Sequence, residues 1–264
     1  MAVRIVTDSS SCLPDDIAAQ LDITVIDLHV MNRGDDRSTA GLNPLELVAC
    51  YARQLERGGD EGVVALHISK ELSATWSNAV TAAAVFDGGV HVVDTNSVGM
   101  GLGLAAVAAA QCAREGGNLE ACADAAVAVL ERCETWLYVH RIDELRKSGR
   151  LSAATALMST ALATKPIMHL KDGRLEVVGK TRTQAKAFAK IVELVKAVAN
   201  DRLVTITLQQ HEAREAARHL REMLHEELAL DDAGRIEIVN MEQVLAIHSG
   251  PGAVAVTVVL QNMD

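Results

Sequence analysis

The sequence predicts an α/β protein of two lobes, and two observations lead to that fold class. In the first half of the chain, short apolar segments alternate with longer Ala-rich segments, which is typical of parallel strands joined by crossover helices. From about residue 133 onward, the strand-like segments outnumber the helices that could connect them. We therefore expect an N-terminal lobe over residues 1–132 with a mostly parallel sheet flanked by helices, and a C-terminal lobe over residues 133–264 with a mixed sheet and helices.

Apolar runs and helix-starting residues define the elements of the first lobe. Pro14 and the two acids after it predict a helix start, because proline fixes φ and acidic side chains favour the positive end of a helix. Gly58-Gly59 predicts the end of a second helix, which begins at Pro44. The predicted strands are 3–7, 23–30, 62–68 and 90–93, and further helices are predicted after residue 75 and over 102–114 and 119–132.

In the second lobe, an Asp172-Gly173 turn between two apolar runs predicts a β-hairpin. Its strands are 166–170 and 175–179. Further strands are predicted at 136–140, 203–208, 235–240, 244–247 and 254–260, with an Ala-rich helix after the polar run 143–150, a helix from about 183 and a charged helix over 211–228.

Composition argues against a nucleic-acid-binding protein and for a sizeable core. The net charge of −10 argues against a nucleic-acid-binding protein, which needs a clustered basic surface. Only two Phe, two Trp and two Tyr are present, so no aromatic ladder for stacking bases is available. Because 49% of the residues are hydrophobic, the chain has enough apolar side chains for a sizeable core, built mainly from Ala, Val and Leu.

Cysteine spacing and apolar-run length predict a cytoplasmic protein. The cysteines are odd in number and form no CxxC pair, so we expect reduced, buried thiols and no metal site. The N-terminus lacks a signal-peptide pattern, and the apolar stretch 98–110 is shorter than the ~20 residues of a membrane span, which predicts no stable membrane insertion. The five cysteines are Cys12, Cys50, Cys112, Cys122 and Cys133.

A glycine-rich segment leaves a nucleotide-binding enzyme open as an alternative. Gly99-Met100-Gly101-Leu102-Gly103 follows a predicted strand, but the dinucleotide pattern requires glycine where Leu104 stands. Tight packing of a helix on the sheet explains the same glycines. No nucleophile, base and acid occur at a recognisable spacing, and we therefore predict no catalytic residues.

Three polar segments follow predicted strands, where open α/β sheets bind ligands. They are 38–44, 69–76 and 248–252, and they contain small hydroxyls or a histidine. Hydroxyls and free amides at a helix start can bind an anion. Ordinary helix capping is the alternative interpretation of the Ser and Thr residues.

Taken in order along essentially the whole chain, these segments and several others resemble the DegV family, the fatty-acid-binding proteins that are subunits of bacterial fatty acid kinase. The matching segments are Val6-Thr7-Asp8-Ser9-Ser10, Leu72-Ser73-Ala74-Thr75-Trp76, Val93-Asp94-Thr95-Asn96, Lys147-Ser148-Gly149-Arg150-Leu151, Lys165-Pro166, Lys180-Thr181-Arg182-Thr183 and His248-x-Gly250-Pro251-Gly252.

The resemblance implies a non-catalytic carrier without a cofactor. A long-chain fatty acid such as palmitate, stearate or oleate is expected in a buried tunnel, with its carboxylate between the lobes. The expected carboxylate ligands are Thr39, Ser73 with the amides of Ala74 and Thr75, and His248, which can add positive charge when protonated.

The resemblance also implies a partner, the ATP-binding subunit of a fatty acid kinase, which phosphorylates the bound acid. Lys147, Arg150 and Arg182 are candidates for docking that partner, and ordinary surface charge is their alternative explanation.

The chain departs from the family pattern at two places in these segments. Ala74 stands where the family has glycine, and Ala40-Gly41 replaces a Ser-Gln-like pair after a shortened segment. A divergent, ligand-free regulator or scaffold of the same fold is therefore a further alternative.

Overall fold

The structure, a computed structural model, describes residues 2–33, 36–151, 164–200, 202–229 and 236–261. The chain divides into two compact units, Met1–Glu131 and Arg132–Asp264. The division into lobes over residues 1–132 and 133–264 stays a prediction.

The first unit is built on a four-stranded sheet in which every pairing is parallel, in the order β2-β1-β5-β6. A separate antiparallel hairpin is formed by β3 and β4. In chain order, the elements are β1 (Arg4–Asp8), α1 (Asp15–Leu21), β2 (Ile23–Ile26), β3 (His29–Arg33), β4 (Asp36–Ala40), α2 (Pro44–Gly58), β5 (Val63–Leu66), α3 (Thr75–Ala83), β6 (Val90–Val93), α4 (Met100–Arg114) and α5 (Leu119–Leu130).

Small side chains form the core of this unit. Leu102, Ala105 and Ala109 of α4 pack with Ala126 of α5 and with the apolar side chains of the sheet, and all four are fully buried. Alanine lets helix and sheet approach closely, which is consistent with the Ala-rich core expected from composition.

The second unit contains a six-stranded mixed sheet in the order β11-β10-β12-β7-β8-β9. Only β10 and β11 pair in parallel, and the other pairings are antiparallel. The elements are β7 (Cys133–Tyr138), α6 (Asp143–Lys147), β8 (Lys165–Lys171), β9 (Arg174–Thr181), α7 (Gln184–Ala199), β10 (Val204–His211), α8 (Arg214–Glu227), β11 (Ile236–Asn240), α9 (Gln243–Ser249) and β12 (Ala253–Leu260). The predicted fold class, an α/β protein with a parallel sheet and a mixed sheet, is confirmed.

The predicted hairpin is present. Asp172 and Gly173 have φ values of 48° and 76°, so both central residues of the turn between β8 and β9 are left-handed, as a two-residue type I′ turn requires. Local turn chemistry thus determined this part of the fold.

The predicted strand 23–30 is divided in the structure. β2 ends at Ile26, and the amide of Leu28 donates to Ser9 Oγ (3.0 Å) instead of continuing the ladder. The chain then enters β3, which pairs with β4, so the predicted loop 38–44 begins as strand up to Ala40.

The predicted strand 244–247 is wrong, because this segment lies in helix α9. The amides of Leu245 and Ala246 both donate to the carbonyl of Glu242, which starts the helix. A four-residue apolar run fits a buried strand and a buried helix equally well. His248 therefore lies in the last turn of a helix and not in a loop after a strand.

Two further helix predictions have different outcomes. The charged helix begins at Arg214, because His211 still belongs to β10. The Ala-rich helix predicted after residue 150 falls mostly on residues outside the described part of the chain. Among the described helices, none combines the length and apolar character that crossing a bilayer requires.

Candidate functional site

Ser73 and Thr75 bring two hydroxyls together at the start of helix α3. Their oxygens share a hydrogen bond of 2.9 Å, and the amide of Thr75 donates to Ser73 Oγ (3.2 Å). Thr75 is fully buried and Ser73 is half-buried, so the hydroxyl of Ser73 is the more accessible of the two. The first turn of a helix also presents amides without intrahelical partners, and an anion is favoured there.

The segment before helix α2 packs directly on this hydroxyl pair. The amide of Leu42 donates to Thr75 Oγ1 (3.3 Å), and the side chain of Asn78 donates to the carbonyl of Leu42 (2.7 Å). Two of the three segments singled out in the sequence, 38–44 and 69–76, are therefore brought together.

Gly41 is required for this close approach, which the sequence alone did not reveal. A Cβ at Gly41 would lie 2.6 Å from Thr75 Oγ1 and 3.0 Å from Ser73 Oγ. In the sequence, this contact is indicated by the isolated glycine two residues before Asn43, which caps helix α2, because such a glycine can mark close backbone contact.

Thr39 and Ala74, two other predicted carboxylate ligands in these segments, have different backbone positions. Thr39 lies in β4, paired with Val30 and two residues before Gly41. Ala74 directly precedes α3 with φ −71° and ψ −6°, in the ordinary right-handed region, and it is exposed. The backbone there does not require glycine, so the replacement of the family's glycine by alanine causes no conformational strain.

Below these loops lies a buried polar network that sequence reasoning missed. Asp8 accepts hydrogen bonds from His67 Nδ1 and the amide of Ile68, both at 3.0 Å, and from the amide of Ser10, also at 3.0 Å. His67 Nε2 lies 2.9 Å from the hydroxyl of Tyr51. Asp8, His67 and Tyr51 are all fully buried.

The hydroxyl of Tyr51 is the hydrogen-bond donor at one end of this network. Burial raises the pKa of Tyr51, with smaller contributions from Cys50 and Asp8, so its hydroxyl stays protonated. With His67 Nδ1 donating to Asp8, Nε2 can accept the hydrogen of the tyrosine hydroxyl. The network joins α2 to the ends of β1 and β5.

Hydrogen bonds also join the segment after β5 to the segment after β6. Thr95 Oγ1 donates to the carbonyl of His67 (2.6 Å), and the amide of Ser69 donates to the carbonyl of Ser97 (2.8 Å). The carboxyl ends of neighbouring parallel strands meet at one edge of a sheet, so Asp8 at the end of β1 and His67 directly after β5 were the available signal. The network gives the segment before Ser73 a fixed starting position.

The structure supports packing as the explanation for the glycines at 99–103. Met100, Gly101, Leu102 and Gly103 are all buried, and a Cβ at Gly103 would lie 2.8 Å from the carbonyl oxygen of Ser11. The amide of Gly99 already donates to the carbonyl of Ser10. The glycines at this helix start therefore pack closely against the protein's own backbone.

In the second unit, His248 is half-buried in the last turn of α9. Burial lowers its pKa to about 4, and the positive charge of Arg150 adds to the effect. The ring is therefore neutral at neutral pH in the protein by itself. A neutral imidazole has one N–H donor and one acceptor nitrogen.

Two glycines after His248 have conformations suited to glycine. Gly250 has φ 72° and Gly252 has φ 84°. A Cβ at Gly252 would lie 2.8 Å from the Cβ of His140, so both conformation and space favour glycine there. These residues fix how the chain passes from α9 into β12.

The three basic docking candidates occupy different surroundings. Arg150 follows Gly149 (φ 70°), donates to the carbonyl of Ser148, and lies close enough to His248 to affect its pKa. Lys147 is 72% exposed at the end of α6, and Arg182 is exposed between β9 and α7. The structure thus places Arg150, of the three, near a predicted ligand-binding residue. Across the described ranges, no group of three His, Cys, Asp or Glu side chains could hold a metal ion.

The fold and these loops define an α/β protein with polar segments at the carboxyl ends of a parallel sheet and a second, mixed sheet. The family model described as "Uncharacterised protein, DegV family" matches residues 32–261, and the chain belongs to the DegV family. The resemblance drawn from the sequence motifs is therefore confirmed.

Relatives match over nearly the whole chain. A DegV domain-containing protein of Corynebacterium glutamicum is 60% identical over 263 residues, covering 99% of this chain and 95% of its own length. The crystal structure of a Corynebacterium glutamicum DegV family protein has a TM-score of 0.96 at 59% identity and covers 100% of both chains.

Two further solved structures are described as fatty-acid-binding. The fatty acid binding DegV family protein of Streptococcus agalactiae has a TM-score of 0.88 at 26% identity, covering 99% of this chain and 100% of its own. A Thermus thermophilus DegV family protein, with fatty acid binding in its description, has a TM-score of 0.88 at 28% identity and the same coverage.

Proposed function

We propose that this protein binds a long-chain fatty acid such as palmitate, stearate or oleate and acts as a carrier without catalysing a reaction itself. The observation that carries the proposal is the cluster of Ser73, Thr75 and Gly41 at the start of α3. It places a half-buried hydroxyl beside helix amides, which is the chemistry that binds a carboxylate. The description of two structural relatives as fatty-acid-binding supports the choice of ligand.

In this proposal, the carboxylate is bound by uncharged donors. Ser73 donates its hydroxyl hydrogen, the amides of Ala74 and Thr75 contribute, Thr39 adds a hydroxyl, and His248 donates a ring N–H. Because the pKa of His248 is lowered to about 4, its ring is neutral at neutral pH before a carboxylate binds. The positive charge of Arg150 acts on that ring and contributes to the lowered pKa.

The acyl tail contributes most of the affinity and the carboxylate sets the orientation. Burying each methylene contributes about 0.8 kcal/mol before the entropy cost of association is subtracted. A bound carboxylate gains little net free energy, because it exchanges water for protein donors. A buried tunnel for the tail therefore belongs to the proposal.

The proposed partner is an ATP-dependent kinase subunit that converts the bound acid to an acyl phosphate in the cytoplasm. No nucleophile or base set suited to this chemistry was recognised in the sequence, and the resemblance assigns catalysis to that subunit. Arg150, Lys147 and Arg182 are proposed to contact the kinase. Replacing Lys147 or Arg182 by Ala should weaken phosphorylation of the bound acid by an added kinase while leaving fatty acid binding unchanged.

The site assignment is tested by measuring binding of a fluorescent fatty acid to Ser73→Ala, His248→Ala and the double variant. We expect each single variant to bind several-fold more weakly and the double variant to lose still more, because the carboxylate loses direct donors. Ser77→Ala is the matched control, since Ser77 is exposed on the same helix. Unchanged affinity in a folded double variant would exclude these residues as ligands.

Two other functions make different predictions. A nucleotide-binding enzyme would be stabilised against heat by ATP or NAD, whereas we expect no shift, since the glycines at the start of α4 are used for packing against the protein's own backbone. A ligand-free scaffold would take up no fatty acid. The ordinary backbone conformation of Ala74 removes one reason to expect that outcome.

A further inference from the structure

The hairpin of helices α4 and α5 places two thiols at one turn. Cys112 lies in the last turn of α4 and Cys122 in the first turn of α5, and the sulfurs of both lie beside Gly117 in the turn that joins the helices. Both are free cysteines, with Cys112 half-buried and Cys122 fully buried. The two side chains therefore share Gly117 as a neighbour, and Cys112 is the more exposed of the two.

The turn between the helices leaves room for the sulfur of Cys112. A Cβ at Gly117 would lie 2.4 Å from Cys112 Sγ. The amide of Gly117 donates to the carbonyl of Cys112 (2.9 Å), and its own carbonyl accepts from Cys122 Sγ (3.5 Å). Gly117 does not have a positive φ, so space rather than conformation makes glycine necessary there.

We propose that Cys112 and Cys122 form a reversible oxidation site, in which a peroxide converts the thiol pair to an intramolecular disulfide. The proposal does not depend on fatty acid binding. It rests on the position of both sulfurs beside Gly117 and on the space that this glycine leaves for the sulfur of Cys112.

The chemistry proceeds in two balanced steps. The thiol of Cys112 releases its proton, its thiolate attacks one peroxide oxygen, the O–O bond breaks, and the departing hydroxide takes up that proton, which gives a sulfenic acid and one water. The sulfur of Cys122 then attacks the sulfenic sulfur, the S–S bond forms, the S–O bond breaks, and the hydroxyl leaves as water with the thiol proton. Two thiols and one peroxide thus give one disulfide and two waters, and a dithiol reductant reverses the change.

The exposure of Cys112 and the raised pKa of Cys122 determine the order of the two steps. Cys112 is the half-buried thiol that a peroxide can reach. Burial raises the pKa of Cys122, and the hydrogen bond and charge of Cys112 raise it further, so Cys122 is a poor first nucleophile. A neighbouring thiol that resolves a sulfenic acid protects it from further oxidation.

A disulfide needs Cα atoms within about 7 Å and side chains directed towards each other. Cys112 and Cys122 lie at the joined ends of two helices, and the sulfurs of both lie beside Gly117. Cys122 belongs to the same core cluster as the small side chains Ala109 and Ala126.

The test is a hydrogen peroxide titration of the reduced, full-length protein, followed by alkylation and peptide mass spectrometry. We expect a linked peptide pair of Cys112 and Cys122, lighter by two hydrogen atoms and restored by dithiothreitol. Cys50 is the internal control, because it is half-buried like Cys112 but lies on helix α2. Sulfinic acid at Cys112 without the linked pair, or a fully reduced pair at peroxide levels that oxidise Cys50, would overturn the proposal.

Three variants test the roles of Cys122, Cys112 and Gly117 separately. In Cys122→Ser, we expect Cys112 to proceed to sulfinic acid, and in Cys112→Ser we expect Cys122 to stay reduced. Gly117→Ala should slow disulfide formation several-fold, because its Cβ displaces the sulfur of Cys112. Equally fast formation in a Gly117→Ala protein with an unchanged melting temperature would contradict the proposed role of the turn.

Discussion

At the scale of single residues, the hydroxyls of Ser73 and Thr75 and the ring of His248 are fixed by the protein's own bonds and surroundings. Thr75 is fully buried and bonded to the amide of Leu42, so its main contribution is to hold the loop before α2. Ser73 is half-buried and remains positioned to donate to a ligand. His248 is kept neutral by burial and by Arg150.

The lowered pKa of His248 predicts how stability depends on pH. The folded value is about 4 and the ordinary value is 6.5, so the unfolded chain binds the proton more readily between these values. The free energy of unfolding therefore has its full value above about pH 6.5, and it decreases as the pH falls towards about 4. We expect a loss of about 1–2 kcal/mol, reduced from the full shift because the ring is partly exposed to solvent.

Urea denaturation at about pH 7 and about pH 4.5 measures this loss. His248→Gln is the comparison, since it keeps a polar side chain without the titrating ring. The variant should lose less stability than the parent over the same pH interval. An equal loss in both proteins would show that His248 does not carry this dependence.

Removing the hydroxyl of Tyr51 should destabilise the first unit. Tyr51→Phe leaves His67 Nε2 buried without its partner, at a cost of about 1–3 kcal/mol in the free energy of unfolding. Tyr138→Phe is the matched control, because the bond from its hydroxyl to His140 Nδ1 is only partly buried and water can replace it. Similar losses in the free energy of unfolding of the two variants would mean that the buried network of Asp8, His67 and Tyr51 stabilises the protein no more than a partly buried hydrogen bond does.

At the scale of elements, the sequence predicted what local chemistry determines. The type I′ turn, the Pro14 helix start and the Gly59 helix end need only neighbouring residues, and each is present. The helix over 243–249 was predicted as a strand, because a short apolar run does not distinguish the two. The contacts of Gly41 and the Asp8 network join residues far apart in the chain, and one sequence without tertiary information does not reveal them.

Gly41→Ala tests the contact between the two loops of the candidate site. Its Cβ would lie 2.6 Å from Thr75 Oγ1, so the loop must move away and fatty acid binding should weaken by several-fold. Ala74→Gly is the comparison, because residue 74 is exposed with an ordinary φ of −71°. That variant should bind normally and lose at most about 1 kcal/mol of stability.

Fluorescent fatty acid binding and urea denaturation measured on the same samples distinguish these outcomes. Normal binding by Gly41→Ala would show that the packing of the two loops does not matter for the ligand. Tighter binding by Ala74→Gly would show that the alanine, and not the backbone, limits the site.

At the scale of the whole molecule, the family model shows membership of the DegV family, and the fatty-acid site is our proposal. Motifs spread over the whole chain identified the DegV family, because their order and spacing reflect one fold. The placement of Ser73 and Thr75 at the start of α3 adds a physical reason for anion binding, and the neutral state of His248 changes how that binding is expected to work. The preferred tail length depends on side chains that no motif identifies.

The central claim, that this chain carries a fatty acid, is tested most directly by mass spectrometry of the lipid extracted from the purified protein under denaturing conditions after gel filtration. We predict one fatty acid per chain, with roughly 14–18 carbons, because a tail of that length buries enough methylenes to hold the ligand through purification. A protein that is purified empty and that also fails to take up added palmitate or oleate would contradict the account.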